Sequence, residues 1–160
     1  MDFGNEAHEE TYLQVQECLP DFFDEPYLDE EDGHFYVRYG STVLEISVEA
    51  YGPNEAVLTI MSYCVQGVDV EEDLLVGLLE LNHALPLGAF SLVDRDIFFS
   101  HTLFGRDLQP RTLLGAIAAV ANISDEYDDR IVAKYGGQTA LERIRDTGGR
   151  LQRKLAIGEG

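Results

Sequence analysis

The sequence predicts an α+β fold: an antiparallel five-stranded sheet with helices, in the order α–β–β–β–α–β–β–α. Three observations predict it. Five short apolar runs read as strands, two of them alternating with period two, and apolar residues fall at helical spacing in three other stretches. The strands come as hairpins separated by single helices, with no β–α–β repeat, which excludes a parallel sheet. At 160 residues, 45% hydrophobic and with eight Tyr and eight Phe, the chain can bury one substantial core and is not globally disordered.

Between Ala7 and Leu19, Tyr12, Val15 and Leu19 fall at helical spacing among glutamates, predicting a first helix that Pro20 ends. Asp21 to Asp32 is acidic, aperiodic and contains Pro26. It reads as a loop pinned to the body by Phe22, Phe23, Tyr27 and Leu28. Phe35, Val37 and Tyr39 alternate with His34, Tyr36 and Arg38 as a first strand. After a Gly40-Ser41 turn, Leu44, Ile46 and Val48 alternate with Glu45, Ser47 and Glu49, the pattern of a half-buried strand. Gly52-Pro53-Asn54 signals a turn. Val57 to Val65 follows as a β-branched and aromatic run, with Leu58, Ile60 and Cys64 on one parity and Val57, Met61, Tyr63 and Val65 on the other. A strand apolar on both parities is covered on both faces.

Asp69-Val-Glu-Glu72 has the form of a helix N-cap with an acid three residues on. Leu74, Leu75, Leu78, Leu79 and Leu81 then give a helical apolar face as far as His83, and Pro86 ends it. Ala89–Val93 and Ile97–Phe104 are strands joined by the hairpin turn Asp94-Arg95-Asp96, which reads as solvated. Asp107-Leu-Gln-Pro110 opens a long helix striped by Leu113, Ile117, Val120, Tyr127, Ile131 and Tyr135, and Gly136-Gly137 caps it. Gln138–Ile144 reads as a further short helix, Thr147-Gly-Gly149 as flexible, and Arg150 to Gly160 as mobile or weakly helical. The expected organisation is an acidic N-terminal helix and loop (1–32) packed on the body, an α+β domain (33–137), and a short helix with a mobile basic tail (138–160).

The formal net charge is -19, from 11 Lys+Arg against 30 Asp+Glu. Such a surface repels nucleic-acid phosphates and anionic membranes, so neither is an expected partner. The charge is uneven. Residues 1–32 hold twelve acids and no base, whereas residues 130–160 hold seven bases and three acids. One reading of this split is an acidic lid docked on the basic 130–154 region. The N-terminus has neither a positive n-region nor an apolar h-region, and no apolar run spans a bilayer, so a cytoplasmic location is expected. Cys18 and Cys64 lie far apart, without metal spacing or basic context, and read as two buried thiols rather than a disulfide.

His8, His34, His83 and His101 show no metal spacing. His83 suits the negative end of its helix, and His101 the margin of the core. No phosphate-binding glycine loop, nucleophile elbow or zinc-protease motif occurs, so no catalytic residue, cofactor or metal ligand is expected. The cluster Asp125, Glu126, Asp128 and Asp129 reads as a wet helix face, with a divalent-cation site as the rival reading. The apolar face Val57, Met61, Tyr63 and Val65 is the candidate partner-binding surface. Its rival reading is packing against the chain's own first helix or the Phe22–Leu28 loop.

The run Leu79-Glu-Leu-Asn-His-Ala-Leu-Pro-Leu-Gly-Ala-Phe90, the hairpin Val93-Asp-Arg-Asp-Ile-Phe-Phe99, the helix containing Ile123-Ser-Asp-Glu-Tyr-Asp-Asp129 and the closing Ala133-Lys-Tyr-Gly-Gly137 resemble the YbjN-like family. The resemblance covers about residues 34–137. It implies the fold of type III secretion chaperones, whose element order is the one derived above. It also implies a non-enzymatic, often dimeric module that binds peptides or regulates other proteins. The expected function is therefore a protein- or peptide-binding module, chaperone-like or regulatory, with a protein or peptide client and a homodimeric state. The alternative is a small ligand- or cation-binding protein or enzyme using the acidic cluster.

Overall fold

The computed structural model describes residues 1–40 and 42–146; the expectations for residues 147–160 lie outside them. In chain order the elements are α1 (Glu6–Phe22), β1 (Tyr27–Leu28), β2 (Phe35–Tyr39), β3 (Thr42–Tyr51), β4 (Glu55–Gln66), α2 (Glu72–Ala84), β5 (Ala89–Val93), β6 (Asp96–Phe104), α3 (Pro110–Tyr135), β7 (Gln138–Thr139) and α4 (Ala140–Asp146). The class is α+β, as expected, but the antiparallel sheet has seven strands rather than five. Its order is β1-β2-β3-β4-β6-β5, with β7 paired to β4. The two additional strands are two residues each, too short to carry a periodicity.

One face of the sheet carries the main core. Val37, Leu44, Ile46, Leu58, Ile60 and Phe99 point to it, and α1, α2 and α3 supply Val15, Leu19, Leu74, Leu113, Ile117 and Val120. Of the predicted α3 stripe, Leu113, Ile117, Val120, Ile131 and Tyr135 are buried and Tyr127 is half-buried, while Ala116, Ala121, Ser124 and Asp128 widen the buried face. Pro110 stands in its first turn, where its missing N–H costs nothing.

Several local expectations are corrected. Pro20 does not end α1, which continues to Phe22. Inside a helix a proline loses its N–H bond and sets its ring against the carbonyl four residues back, at a cost of about 3 kcal/mol. Fully burying the neighbouring Leu19 contributes roughly 1.5–3 kcal/mol, of the same order, and helps hold the last turn. The Asp21–Asp32 loop contains β1, whose Tyr27 and Leu28 register against Tyr36 and Phe35. Asp69 does not cap α2, which starts at Glu72 after a Glu71 cap without a side-chain bond. The backbone N–H of Asp69 instead donates to the Tyr135 carbonyl at 2.7 Å. The Asp94–Asp96 turn is not simply solvated. Asp96 is buried and its Oδ1 accepts the Gly67 N–H at 2.9 Å, while Arg95 Nε donates to the Val68 carbonyl at 2.9 Å.

The Asn82-to-Phe90 run has a structural cause. Asn82 Oδ1 accepts the Phe90 N–H at 2.7 Å and its Nδ2 donates to the Phe90 carbonyl at 3.1 Å, so the side chain pairs with β5 as another strand would. Gly88 between them has φ +70, and a Cβ there would lie 2.5 Å from the Phe99 ring. Gly88→Ala is therefore expected to cost about 2–4 kcal/mol, from left-handed backbone and overpacking together. Urea unfolding checks this, and an unchanged midpoint would contradict it.

Candidate functional site

The second face of the sheet is built by the alternate residues of the same strands. Register places Val43, Tyr63 and Phe98 in one row, Glu45, Met61 and Ser100 in the next, then Ser47, Thr59 and Thr102, then Glu49, Val57 and Phe104. Among the described residues, only the first of these rows receives a helix. There Val43, Tyr63, Phe98 and Ala140 form a second small core, with Tyr36, Met61, Val93 and Ile144 packed on it. Tyr63 and Phe98 meet edge to face at 5.5 Å. Beyond α4 the face is open. Val57, Thr59 and Met61 are half-buried, and at its far end Tyr51 (59% exposed) meets Phe104 (64% exposed) at 6.0 Å.

The four candidate residues are thus not one surface. Val57 and Met61 line the open part. Tyr63 lies on the same face but is 2% exposed beneath α4. Val65 points the other way, into the main core, because β4 has a bulge between Tyr63 and Val65 that opposes only Phe98 and Ile97. The extra residue reverses the side-chain alternation, which a period-two reading cannot anticipate. The cover over Tyr63 is α4, not α1 or the Phe22–Leu28 segment.

A polar cluster that the alternation missed anchors this face. Glu45 is buried beside Tyr63. Its Oε2 accepts the Tyr63 hydroxyl and, at 3.2 Å, the Tyr36 hydroxyl. His34 Nδ1 lies 2.8 Å from Glu45 Oε1 and 3.1 Å from Asp32 Oδ2. Burial pushes the Glu45 carboxyl up, but His34 and the two hydroxyls favour the anion more strongly and hold it below the usual range. Burial and the neighbouring carboxylate raise both phenols. The available signal was Glu45 within reach of two Tyr and one His, but only register brings them together. The cluster fixes β2 against β3 and β4 and keeps Tyr63 in place.

The acidic helix residues diverge. Asp125 faces Gly40, Glu126 pairs with Arg130 at 3.8 Å, and Asp128 is buried, its Oδ1 accepting the Asp129 N–H at 2.6 Å. Among the described residues, no group of three or more His, Cys, Asp or Glu is arranged to hold a metal ion. Lys134 pairs with Asp73 at 3.1 Å, not with the acidic head. Both cysteines are free thiols. Cys64 is buried, which pushes its thiol up to about 12, and Cys18 is partly exposed.

Three helices thus lie over one sheet face and a short C-terminal helix over the other. The crystal structure of the ExsC–ExsE complex has this fold: the TM-score is 0.60 at 11% identity, over 79% of this chain and 96% of that chain. Residues 9–143 match the family TY-Chap1, described as T3SS (YopN, CesT) and YbjN peptide-binding chaperone 1, and the chain belongs to that family. Comparison with curated protein sequences finds no match. The chain is a chaperone-like, protein- or peptide-binding module, as the Leu79–Phe90 resemblance implies. No described helix is long and apolar enough to cross a membrane.

Glu45→Gln is expected to lower stability by about 1–3 kcal/mol at neutral pH, through the loss of charge-assisted bonds. Because the folded-state carboxyl is lowered, its contribution is full above the ordinary value of 4.5 and is lost as pH falls through the folded value. Urea midpoints of wild type and variant should therefore differ at pH 7 and converge as pH falls below the ordinary carboxylate range. A difference independent of pH would contradict this account.

Proposed function

We propose that this protein is a peptide-binding chaperone that takes an apolar segment of its client on the second face of the sheet, across Val57, Thr59, Met61 and Phe104. The carrying observation is that, among the described residues, this face is open beyond α4, while the other is closed by three helices. An extended or helical segment laid there would bury Met61, Phe104 and Tyr51, whose aromatic and thioether surfaces adapt to varied partners. Val65, buried in the main core, would support this surface without touching the client, and Tyr63 continues the same face beneath α4. Through residue 146 the chain carries 29 acids against eight bases, so clients with basic residues around the apolar segment are favoured by steering. The ExsC–ExsE complex, a complex of a protein with this fold, supports the reading.

The reading includes a homodimer. On α2, Leu75, Val76 and Leu79 (69% exposed) form an apolar ridge at i,i+3 and i,i+4 spacing, beside β5, whose outer edge has no strand partner among the described residues. An edge and a ridge can meet their own copies across a two-fold axis. A cytoplasmic location fits the two free thiols.

Met61→Lys should reduce binding to peptides selected from an array by about tenfold or more, with little change in melting temperature. Fluorescence anisotropy measures it, and unchanged affinity would overturn the assignment of this face. Leu79→Glu should convert the dimer to a monomer in sedimentation velocity. A wild type that sediments as a monomer at micromolar concentration would remove the dimer from the reading.

A further inference from the structure

The segment after α3 is attached to the body as a bound peptide would be. Gly136 and Gly137, with φ +76 and +88, turn the chain out of α3. Gly137 then passes so close to β4 that a Cβ on it would lie 2.6 Å from the Gln66 carbonyl oxygen. Next, β7 adds Gln138 and Thr139 to the end of β4, opposite Gln66 and Val65, on the side that β3 occupies earlier in the strand. This is strand addition on a two-residue scale. α4 then lies on the second face and sets Ala140 and Ile144, four residues apart, on Val43, Tyr63 and Phe98.

Two further observations set this segment apart. α4 is capped from within: Thr139 N–H donates to Glu142 Oε2 at 2.9 Å, and Glu142 N–H donates to Thr139 Oγ1 at 3.3 Å. That capping box needs nothing from the body. At the seat itself, Gln66 is buried, and neither its amide nitrogen nor its oxygen has a hydrogen-bond partner among the described residues. A buried amide left unbonded is costly.

We propose that Gln138–Asp146 is a built-in ligand of the peptide-binding face, seated on Val43, Tyr63 and Phe98 and displaced at the Gly136–Gly137 hinge when a client binds. This rests on the reading of that face given above and extends it. The client that competes best carries the same pattern: a short extended stretch, a Ser/Thr-x-x-Glu cap, then a small residue and a β-branched residue four apart. The occupied face weakens apparent affinity by the fraction of molecules in which it is free.

The test uses the full chain and Ile144→Asp, a change on a seven-residue surface helix that leaves the main core intact. The probe is a fluorescein-labelled synthetic peptide of residues 136–157. The readouts are its anisotropy and the carbon-13 methyl resonance of Met61, one of only two methionines. The variant should bind the peptide about tenfold or more tightly than wild type. Its Met61 resonance should move and should return as the peptide is added. Equal binding by the two chains, an unmoved Met61 resonance, or no binding to the variant overturns the proposal. So does a Met61 shift that depends on protein concentration, because the occupant would then be a second copy. Array peptides that bind both chains equally through Met61 would overturn the built-in ligand alone and leave the chaperone reading standing.

Discussion

β4 is paired along most of its length, with β3 on one side and β6 on the other, and this double pairing sets the rest of the molecule. Its backbone is committed to its neighbours, so its side chains must settle both faces. On one face, Leu58 and Ile60 meet α1 and α3, and burial is complete. On the other, the described residues supply one short helix, which covers Tyr63 and leaves Val57, Thr59 and Met61 half-buried. The open surface is what remains when three helices go to one side of a twelve-residue strand.

That surface is kept soluble and specific by its composition. Its exposed rows alternate Thr and Ser with Met, Val and Phe, so no continuous oily sheet faces water. The Thr59 and Thr102 hydroxyls bond across the strands at 3.1 Å, holding the rows in register. Glu45, buried under two tyrosines and a histidine, fixes the point at which the covered part of the face begins. A surface held this way is ordered in the free chain, which would lower the ordering cost of binding under the proposed function.

Much of this was legible in residue order. The apolar runs locate five strands, and the motif around Asn82 and Gly88 points to the right family. The α3 stripe finds five buried residues but not Ser124 or Asp128, and Asp128, expected on a wet face, is buried. What was not legible depended on pairing. The bulge at Cys64 reverses Val65, and only alignment with Phe98 and Ile97 reveals it. Glu45 looks like a solvent residue in its own strand, because its burial comes from Tyr36 and Tyr63 on two neighbours. Pro20 stands in a last turn that the burial of Leu19 helps hold, a tertiary effect that no local rule carries. β1 and β7 are two residues each and exist only because longer strands offer them an edge.

The central claim is that client peptides lie on the face carrying Thr59 rather than on the helices. Photo-crosslinking tests it most directly, with a photoreactive amino acid placed at Thr59 in one full-length chain and at Leu13, on the exposed side of α1, in another. The account predicts that a bound peptide crosslinks through position 59 and not through position 13. Crosslinks through position 13 with none through position 59 would contradict it.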